Sequence, residues 1–197
     1  MTERDPHNTD AMPEGRKGEN TSDQLMWRTF REGNRKTFQY IYDQNYGILL
    51  RYGLKIIPDQ GTVEDHIQEL FIYLWKQKAN LEIRKSITVY LIWSLRNRLL
   101  KFQEKQKVLG SDESLETLEV PEYPQERLSS EELKSAVDSL PGKQREVIYL
   151  KYYQNLDGQE IAQIMEITLG TTYNLLSRAI ANLRTRLPGL IFLTFYF

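Results

Sequence analysis

The chain has 197 residues, a formal net charge of −1 and an apolar fraction of 40 %, which excludes a protein that is disordered along its whole length. It has no cysteine and two separated histidines, His7 and His66, so we expect no disulfide, no metal site, no histidine-based catalytic pair, no cofactor and no enzymatic activity. No apolar run approaches the roughly 20 residues that span a bilayer, and residues 1–24 lack the apolar core of a signal peptide. We therefore expect a cytoplasmic protein that does not insert into membranes.

The small net charge hides a strong segregation of charge along the chain. Residues 1–24 carry 3 Lys or Arg and 6 Asp or Glu, whereas residues 25–108 carry 15 and 8, a net charge of +7. Residues 109–136 carry 2 and 8, a net charge of −6. Since phosphates respond to charges within about 10 Å, the basic segment remains compatible with a nucleic-acid partner.

The apolar spacing predicts an all-α protein of two small helical domains joined by a flexible acidic linker. Residues 25–108 show three- and four-residue apolar steps broken at Pro58-Asp59-Gln60-Gly61 and in the polar loop 80–86. A Ser-, Glu- and Pro-rich linker occupies residues 109–132, and a second helical domain follows at 133–188. We expect residues 1–24 to form a disordered polar tail and residues 189–197 to form an apolar C-terminal tail.

The second domain ends in a predicted helix-turn-helix. Asp157 and Glu160 have the spacing of a capping box, the turn falls at residues 166–168, and Thr168 is a suitable N-cap for the last helix. One face of that helix is apolar: Leu169, Thr172, Leu176, Ala179, Ile180, Leu183 and Leu187. The opposite face carries residues suited to base edges and phosphates: Gly170, Thr171, Asn174, Ser177, Arg178 and Thr185. A helical hairpin with a solvated polar face is the alternative.

A third helix of the first domain, from about Ile87 to Lys107, places an aromatic side chain beside polar and basic ones. Its core stripe is Leu91, Ile92, Leu95, Leu99 and Phe102. On other faces stand Trp93, Arg96 and Asn97, and an exposed indole beside such groups suits unstacked bases. The alternative is that Trp93 packs against a neighbouring helix.

Four segments of the chain read FQYIYDQNYGILLRYGLKI, VEDHIQELFIYLWKQ, VYLIWSLRNRLLKF and LPGKQREVIYLKYYQNLDGQEIAQIMEITLGTTYNLLSRAIANLRTRL. These segments, in register, resemble the extracytoplasmic-function sigma factors of bacterial RNA polymerase, particularly the type common in Bacteroidota. They span both domains in the family's order, as regions 2 and 4. The last helix departs from the common pattern at Tyr173 and Leu175, where many members carry basic residues. The first helix of the helix-turn-helix departs from it at Gly158, where a larger residue is usual, which should weaken the start of that helix.

The resemblance implies a function in transcription initiation, in response to an envelope or nutrient signal, with core RNA polymerase and promoter DNA as partners. The clamp helices of the largest polymerase subunit would contact Asp65, Gln68, Glu69, Phe71 and Trp75. The minus-ten element would be contacted by Arg84, Lys85, Trp93, Arg96, Asn97, Arg98 and Lys101. The minus-thirty-five element would be contacted by Thr168, Gly170, Thr171, Tyr173, Asn174, Ser177 and Arg178. No residue is expected to be catalytic.

Two points stay open. The apolar C-terminal segment LIFLTFYF either packs on the second domain or binds an anti-sigma protein or a partner subunit. The alternative functions are a stand-alone helix-turn-helix regulator of duplex DNA and a sigma-like decoy that binds an anti-sigma protein.

Overall fold

The computed structural model describes residues 21–83, 86–108 and 131–187, and every regular element in those residues is a helix. The helices are α1 (Thr21–Arg31), α2 (Arg35–Ile56), α3 (Gln60–Gln77), α4 (Ile87–Val108), α5 (Glu131–Asp138), α6 (Gly142–Ile148), α7 (Gly158–Met165) and α8 (Leu169–Arg186). The predicted all-α class is therefore confirmed. None of the described helices is both long and apolar enough to cross a membrane.

Helix α2 is the centre of the first domain and packs on α3 and α4. Asn34 caps its N-terminus by accepting hydrogen bonds from the backbone amides of Lys36 and Thr37 at 2.9 and 3.1 Å. Near its C-terminus, α2 approaches its neighbours closely at Gly53. A Cβ atom there would lie 2.4 Å from Val63 Cγ1 and 3.4 Å from Leu99 Cδ1. The absence of a side chain thus sets the separation of α2 from α3 and α4.

An aromatic cluster fixes α3 against α1 and α2. Ring centroids lie 5.0 Å apart for Trp27 and Phe30 and for Phe38 and Trp75, and 6.0 Å apart for Phe38 and Phe71. These separations are typical of favourable tilted and edge-on ring contacts. Phe30 and Phe71 are buried, so the cluster anchors α3 against α1 and α2.

The second domain contains the predicted helix-turn-helix with its caps in place. Asp157 accepts from the backbone amide of Glu160 at 2.8 Å, and the Glu160 carboxylate accepts from the Asp157 amide at 2.9 Å, which completes the capping box. Thr168 accepts from the Thr171 amide at 3.1 Å at the start of α8. Between the two helices, Glu166 adopts the left-handed conformation, with φ 55° and ψ 46°.

A π-helical segment, Tyr149–Tyr153, extends α6 towards the helix-turn-helix. Its wider turn is closed by the Gln154 amide, which donates to the Tyr149 carbonyl oxygen five residues earlier at 3.2 Å. Tyr149 is buried within this segment, and its ring lies 5.3 Å from that of Tyr153. The apolar spacing of the sequence gives no sign of this irregularity.

The two domains pack directly on each other. Helix α4 of the first domain lies against α7 of the second, and the buried apolar residues of both form one continuous core. The rings of Tyr52, in α2, and Tyr149 have centroids 6.1 Å apart across this boundary. The promoter-facing helix assigned from the sequence is therefore partly covered by the chain's own second domain.

Three helix ends differ from the predicted boundaries. Helix α1 begins at Thr21, inside the predicted polar tail, and its buried Trp27 and Phe30 explain why the chain is helical there. Helix α3 begins at Gln60, because Asp59 caps it and the predicted break is therefore shorter. Helix α5 begins at Glu131, two residues before the predicted domain start. The rest of the predicted linker and both predicted tails lie almost entirely outside the described residues.

Candidate nucleic-acid and polymerase interfaces

Helix α3 presents a solvent-exposed stripe on the side opposite its buried residues Val63, Ile67, Leu70 and Leu74. Asp65, Gln68, Glu69 and Ile72 are all exposed and recur at the three- and four-residue steps of one helix face. Ile72 is 54 % exposed, which makes it the apolar member of an otherwise polar stripe. The sequence does not distinguish Ile72 from its neighbour Phe71, because both residues are apolar.

Phe71 is a correction to the predicted polymerase contacts. It is 3 % exposed, and its ring lies 4.8 Å from that of Tyr42 and 6.0 Å from that of Phe38. A side chain enclosed in the core cannot touch a partner surface, so Phe71 supports α3 from behind. Trp75 is half-buried, with the Lys78 ammonium group 4.4 Å above its ring.

Helix α4 brings Trp93, Arg96 and Asn97 together, but these side chains are not free in solvent as the sequence predicted. Arg96 is only 9 % exposed, and Trp93 and Asn97 are half-buried. The Arg96 Nε–H donates to Glu146 Oε1 at 2.8 Å. Of the two possibilities stated for Trp93, the structure agrees with the packed ring: the second domain covers α4, and the indole is half-buried.

A second carboxylate that contacts α4, after that of Glu146, belongs to Glu166 in the turn of the helix-turn-helix. Glu166 Oε1 accepts from Trp93 Nε1 at 2.9 Å and from Asn97 Nδ2 at 3.0 Å. All three polar groups predicted to meet the minus-ten element on this face therefore have carboxylate partners within the chain. These contacts span 50 to 73 residues of sequence, which is why local sequence patterns do not reveal them.

The Glu146 site is also electrostatically distinctive. Tyr52 Oη donates to Glu146 Oε1 at 2.7 Å, and burial together with the Glu146 charge raises the pKa of Tyr52 well above its ordinary value. Burial acts to lower the pKa of Arg96, but the hydrogen bond and charge of Glu146 outweigh it, so the pKa is raised. The site therefore holds a neutral phenol and a guanidinium cation around one carboxylate.

The remaining basic residues of the predicted minus-ten set have different surroundings. Arg98 lies 3.6 Å from Glu69 and stacks 5.5 Å from the Tyr73 ring, so it links α4 to the exposed stripe of α3. Lys101 is exposed one turn further along α4. Arg84 and Lys85 lie outside the described residues.

Helix α8 exposes the polar face that the sequence predicted. Its apolar side is buried in the second domain at Thr172, Leu176, Ala179, Ile180 and Leu183. Exposed on the other side are Thr168, Gly170, Thr171, Tyr173, Asn174, Ser177 and Arg178. The leading turns of α8 thus offer hydroxyl, amide and guanidinium groups on one convex surface, a set suited to phosphates and base edges.

Tyr173 lies across the start of α7 in contact with Gly158. A Cβ atom on Gly158 would lie 3.0 Å from Tyr173 Oη and 3.1 Å from Leu169 Cδ1. Gly158 is buried, whereas Tyr173 is 50 % exposed. Two of the three positions at which the sequence departs from the common pattern, Gly158 and Tyr173, are therefore in contact: the missing side chain at Gly158 leaves room for the Tyr173 ring.

Within the described part of the chain, no group of three or more His, Asp or Glu side chains is arranged to hold a metal ion. The chemical features of the site are instead exposed hydrogen-bonding groups, aromatic rings and cations, distributed over α3, α4 and α8.

Comparison with known families gives two matches in the order of the two domains. Residues 41–108 match the family described as Sigma-70 region 2, and residues 130–183 match the family described as Sigma-70, region 4. The first match covers most of α2 and all of α3 and α4, and the second covers α5 to α7 and most of α8.

Relatives with curated descriptions cover most of the chain. The ECF RNA polymerase sigma factor SigL of Mycobacterium tuberculosis is 26 % identical over 156 residues, which are 76 % of this chain and 88 % of that protein. The RNA polymerase sigma-E factor of Streptomyces coelicolor is 24 % identical over 144 residues, 71 % of this chain and 79 % of that protein.

Solved structures share the fold. The sigma factor RpoE, in a complex with the anti-sigma factor NepR from Bartonella quintana, superposes with a TM-score of 0.62 at 20 % identity, over 78 % of this chain and 98 % of that one. CnrH, in a complex with the cytosolic domain of CnrY, gives a TM-score of 0.60 at 15 % identity, over 85 % and 98 %. Both sigma-70 regions in order, with sigma-factor relatives along most of the chain, show that this protein belongs to the extracytoplasmic-function sigma factors.

Proposed function

We propose that this sigma factor directs core RNA polymerase to specific promoters in the cytoplasm, using α3 to bind the polymerase and α4 and α8 to contact DNA. We assign these functions to the domains 25–108 and 133–188. The exposed polar face of α8, next to a first domain with a net charge of +7, is the observation that carries the proposal. The protein performs no covalent chemistry; it positions and opens DNA for the polymerase.

The polymerase-binding surface is the exposed stripe of α3, with Ile72 at its apolar centre. Asp65, Gln68 and Glu69 form a polar border, and an apolar contact inside a polar border is the usual anatomy of a protein interface. Trp75 supports the end of the stripe. We include Ile72 in the surface because burial of its exposed apolar side chain by a partner would make the free energy of binding more favourable.

Co-elution with purified core RNA polymerase on a sizing column tests this surface. We expect the wild-type chain to co-elute, and Ile72→Ala and Gln68→Ala to weaken the interaction by about tenfold each, the effect of a single interface anchor. Gln39→Ala, at an exposed glutamine of α2, is the matched control and should bind normally. No co-elution of the wild-type chain with an active core enzyme would favour the stand-alone regulator or the decoy.

The minus-ten surface is α4, where Trp93, Arg96 and Asn97 lie on one side and Arg98 and Lys101 flank it. An indole stacks on an unpaired base, and the cations hold the phosphates beside it. Because the cations contact phosphate, binding of promoter DNA by the polymerase complex should weaken steeply as salt increases. We also assign Arg84 and Lys85, which precede α4 in the sequence, to contacts with the minus-ten element.

The minus-thirty-five surface is the leading half of α8, with Asn174 and Arg178 as the main contacts and Thr168, Gly170, Thr171, Tyr173 and Ser177 beside them. Run-off transcription from a selected promoter tests it. Arg178→Ala should lower initiation by about tenfold, since one good base or phosphate contact is worth roughly 1–3 kcal/mol. Arg184→Ala, which removes an exposed arginine near the opposite end of α8, should leave transcription unchanged. Equal losses in both variants would refute the assignment.

An anti-sigma protein is the remaining proposed partner. The sigma factor RpoE, which shares this fold, was solved in a complex with the anti-sigma factor NepR. The apolar segment 189–197 lies outside the described residues, and we propose it as a docking strip. Deletion of that segment should reduce binding to a cognate anti-sigma protein; unchanged binding, with unchanged solubility and stability, would exclude it.

A further inference from the structure

Two carboxylates of the second domain hold the DNA-facing side of α4. Glu146 accepts from Tyr52 Oη at 2.7 Å and Arg96 Nε at 2.8 Å, and Glu166 accepts from Trp93 and Asn97 at 2.9 and 3.0 Å. We infer that Glu146 and Glu166 form an autoinhibitory latch, which keeps α4 covered until the polymerase or the promoter separates the domains. The inference rests on the proposed function, in which these α4 side chains meet the minus-ten element.

The latch uses the same chemistry as the proposed ligand. A carboxylate, like a phosphate or a base acceptor, takes hydrogen bonds from guanidinium, indole and amide donors. With Arg96 9 % exposed and bonded to Glu146, its Nε–H is not available to DNA. Trp93 likewise has its Nε1–H committed to Glu166, and stacking on a base requires the ring to be uncovered. Opening the latch therefore precedes contact with promoter DNA.

The two carboxylates differ in depth. Glu146 lies in α6 with its side chain 17 % exposed, opposite an Arg96 side chain that is 11 % exposed. The contacts of Glu166 are more exposed, at the rim of the same boundary. An exposed pair exchanges partners with solvent or DNA more readily than a buried one. We infer that Glu166 releases first and Glu146 holds the domains until a competing partner replaces it.

The backbone at Glu166 supports a role beyond the turn itself. The residue adopts φ 55° and ψ 46° at the C-terminus of α7, a left-handed position at which glycine or asparagine is preferred. The turn alone gives no reason for glutamate. Its carboxylate, however, joins two donors of α4, and that contact accounts for the residue type. Glu166→Gly therefore removes the carboxylate while relieving the backbone of the turn.

This geometry provides a variant that opens the latch without harming the fold. We expect Glu146→Ala combined with Glu166→Gly, which removes both acceptors, to separate the domains while both helical domains remain folded. Glu160→Gln is the matched control. It removes one negative charge from α7, the helix that leads into the Glu166 turn, and the glutamine amide oxygen can still accept from the Asp157 backbone amide in the capping box. The helix-turn-helix should be no less stable in Glu166→Gly than in the wild type.

Domain separation is measured by energy transfer between two dyes on the full chain. The chain has no cysteine, so Glu32→Cys and Ala181→Cys, both exposed, label the turn after α1 in the first domain and helix α8 in the second. The wild type and Glu160→Gln should show high transfer, and the double latch variant should show a population with low transfer. The same proteins are titrated with a labelled mixed-sequence single-stranded DNA oligonucleotide. We expect the latch variant to bind about tenfold more tightly, within the usual range of coupling between sites.

Adding Trp93→Ala to the latch variant should abolish the tighter DNA binding, because the uncovered indole ring is the group on which a base stacks. Unchanged energy transfer in the latch variant would overturn the inference, as would separated domains without tighter binding. The proposed function is tested separately, by polymerase-dependent transcription of the wild type. Suppose that wild-type transcription requires Trp93, but the latch variant neither separates its domains nor binds the DNA oligonucleotide more tightly. That result would refute the latch and leave the proposed function intact.

Discussion

Replacing Gly53 by alanine should destabilise the first domain, although alanine is the better helix former. Gly53 lies in the interior of α2 and is buried against α3 and α4. In an open helix position the substitution would stabilise by about 1 kcal/mol. Here the new methyl group would lie 2.4 Å from Val63 Cγ1 and 3.3 Å from Val63 Cγ2, whereas carbon atoms in contact usually lie about 3.5–4.0 Å apart.

The contact at Gly53 cannot be relieved by a side-chain rotation. Val63 is fully buried, and a β-branched side chain in a helix is largely restricted to one χ1 rotamer. The helices must therefore move apart, and overpacking of this kind costs about 1–3 kcal/mol. Taking the upper end of that range and subtracting the gain in helix propensity, we expect a net loss of about 2 kcal/mol. This corresponds to a decrease in melting temperature of about 4–8 °C for a chain of this size.

Thermal denaturation followed by circular dichroism measures this loss, and α2 offers a matched control. A Cβ on Gly47 would meet only the mobile end of Arg51, at 3.4 Å, so Gly47→Ala should raise the melting temperature by about 2–4 °C. Gly53→Ala with Val63→Ala should be less destabilised than the sum of the two single variants, because the clash is removed. A Gly53→Ala protein as stable as the wild type would refute this account of the helix packing.

Three further outcomes are expected. Thr168→Ala should destabilise the second domain by about 1 kcal/mol in urea unfolding, since it removes the N-cap of α8, whereas Thr168→Ser should not. Gly158→Ala should displace Tyr173 and weaken minus-thirty-five binding in a mobility-shift assay; Gly158→Ala with Tyr173→Ala should bind no worse than Tyr173→Ala alone. Hydrogen bonds from Thr62 lower the pKa of the Asp59 carboxyl group in the folded protein. The ionised carboxylate therefore stabilises the folded state above the unfolded-state pKa of about 3.9, and this stabilisation is lost as the pH falls through the lower pKa of the folded state. Asp59→Asn should therefore flatten the acid end of the stability profile, and an unchanged profile would exclude Asp59 as its source.

The caps, the turn and the buried face of the helix-turn-helix were predictable because they depend on neighbouring residues. The Asp157–Glu160 capping box, the Thr168 cap and the turn at residues 166–168 are confirmed, since each is a local hydrogen-bonding pattern. The buried face of α8 follows equally from its 3.6-residue period, except that Leu169 at its first position is exposed.

Contacts between the domains were not predictable from such patterns. Nothing in the residues around Arg96 points to Glu146, fifty positions away, and the glutamate in the left-handed turn becomes informative only when its partners on α4 are known. Phe71 was wrongly placed on the polymerase surface, because two adjacent apolar residues, Phe71 and Ile72, do not reveal which one the aromatic cluster encloses.

The shared carboxylate of Glu146 also constrains how the two halves of the protein can be recombined. Its donors, Tyr52 and Arg96, belong to one domain, and the carboxylate belongs to the other. A chimera that joins this first domain to the second domain of a relative would keep each fold but lose the matched acceptor, leaving a guanidinium poorly paired at the seam. Such hybrids should differ from both parents in DNA binding without polymerase. Substitutions on the two sides of the domain boundary should have non-additive effects on stability.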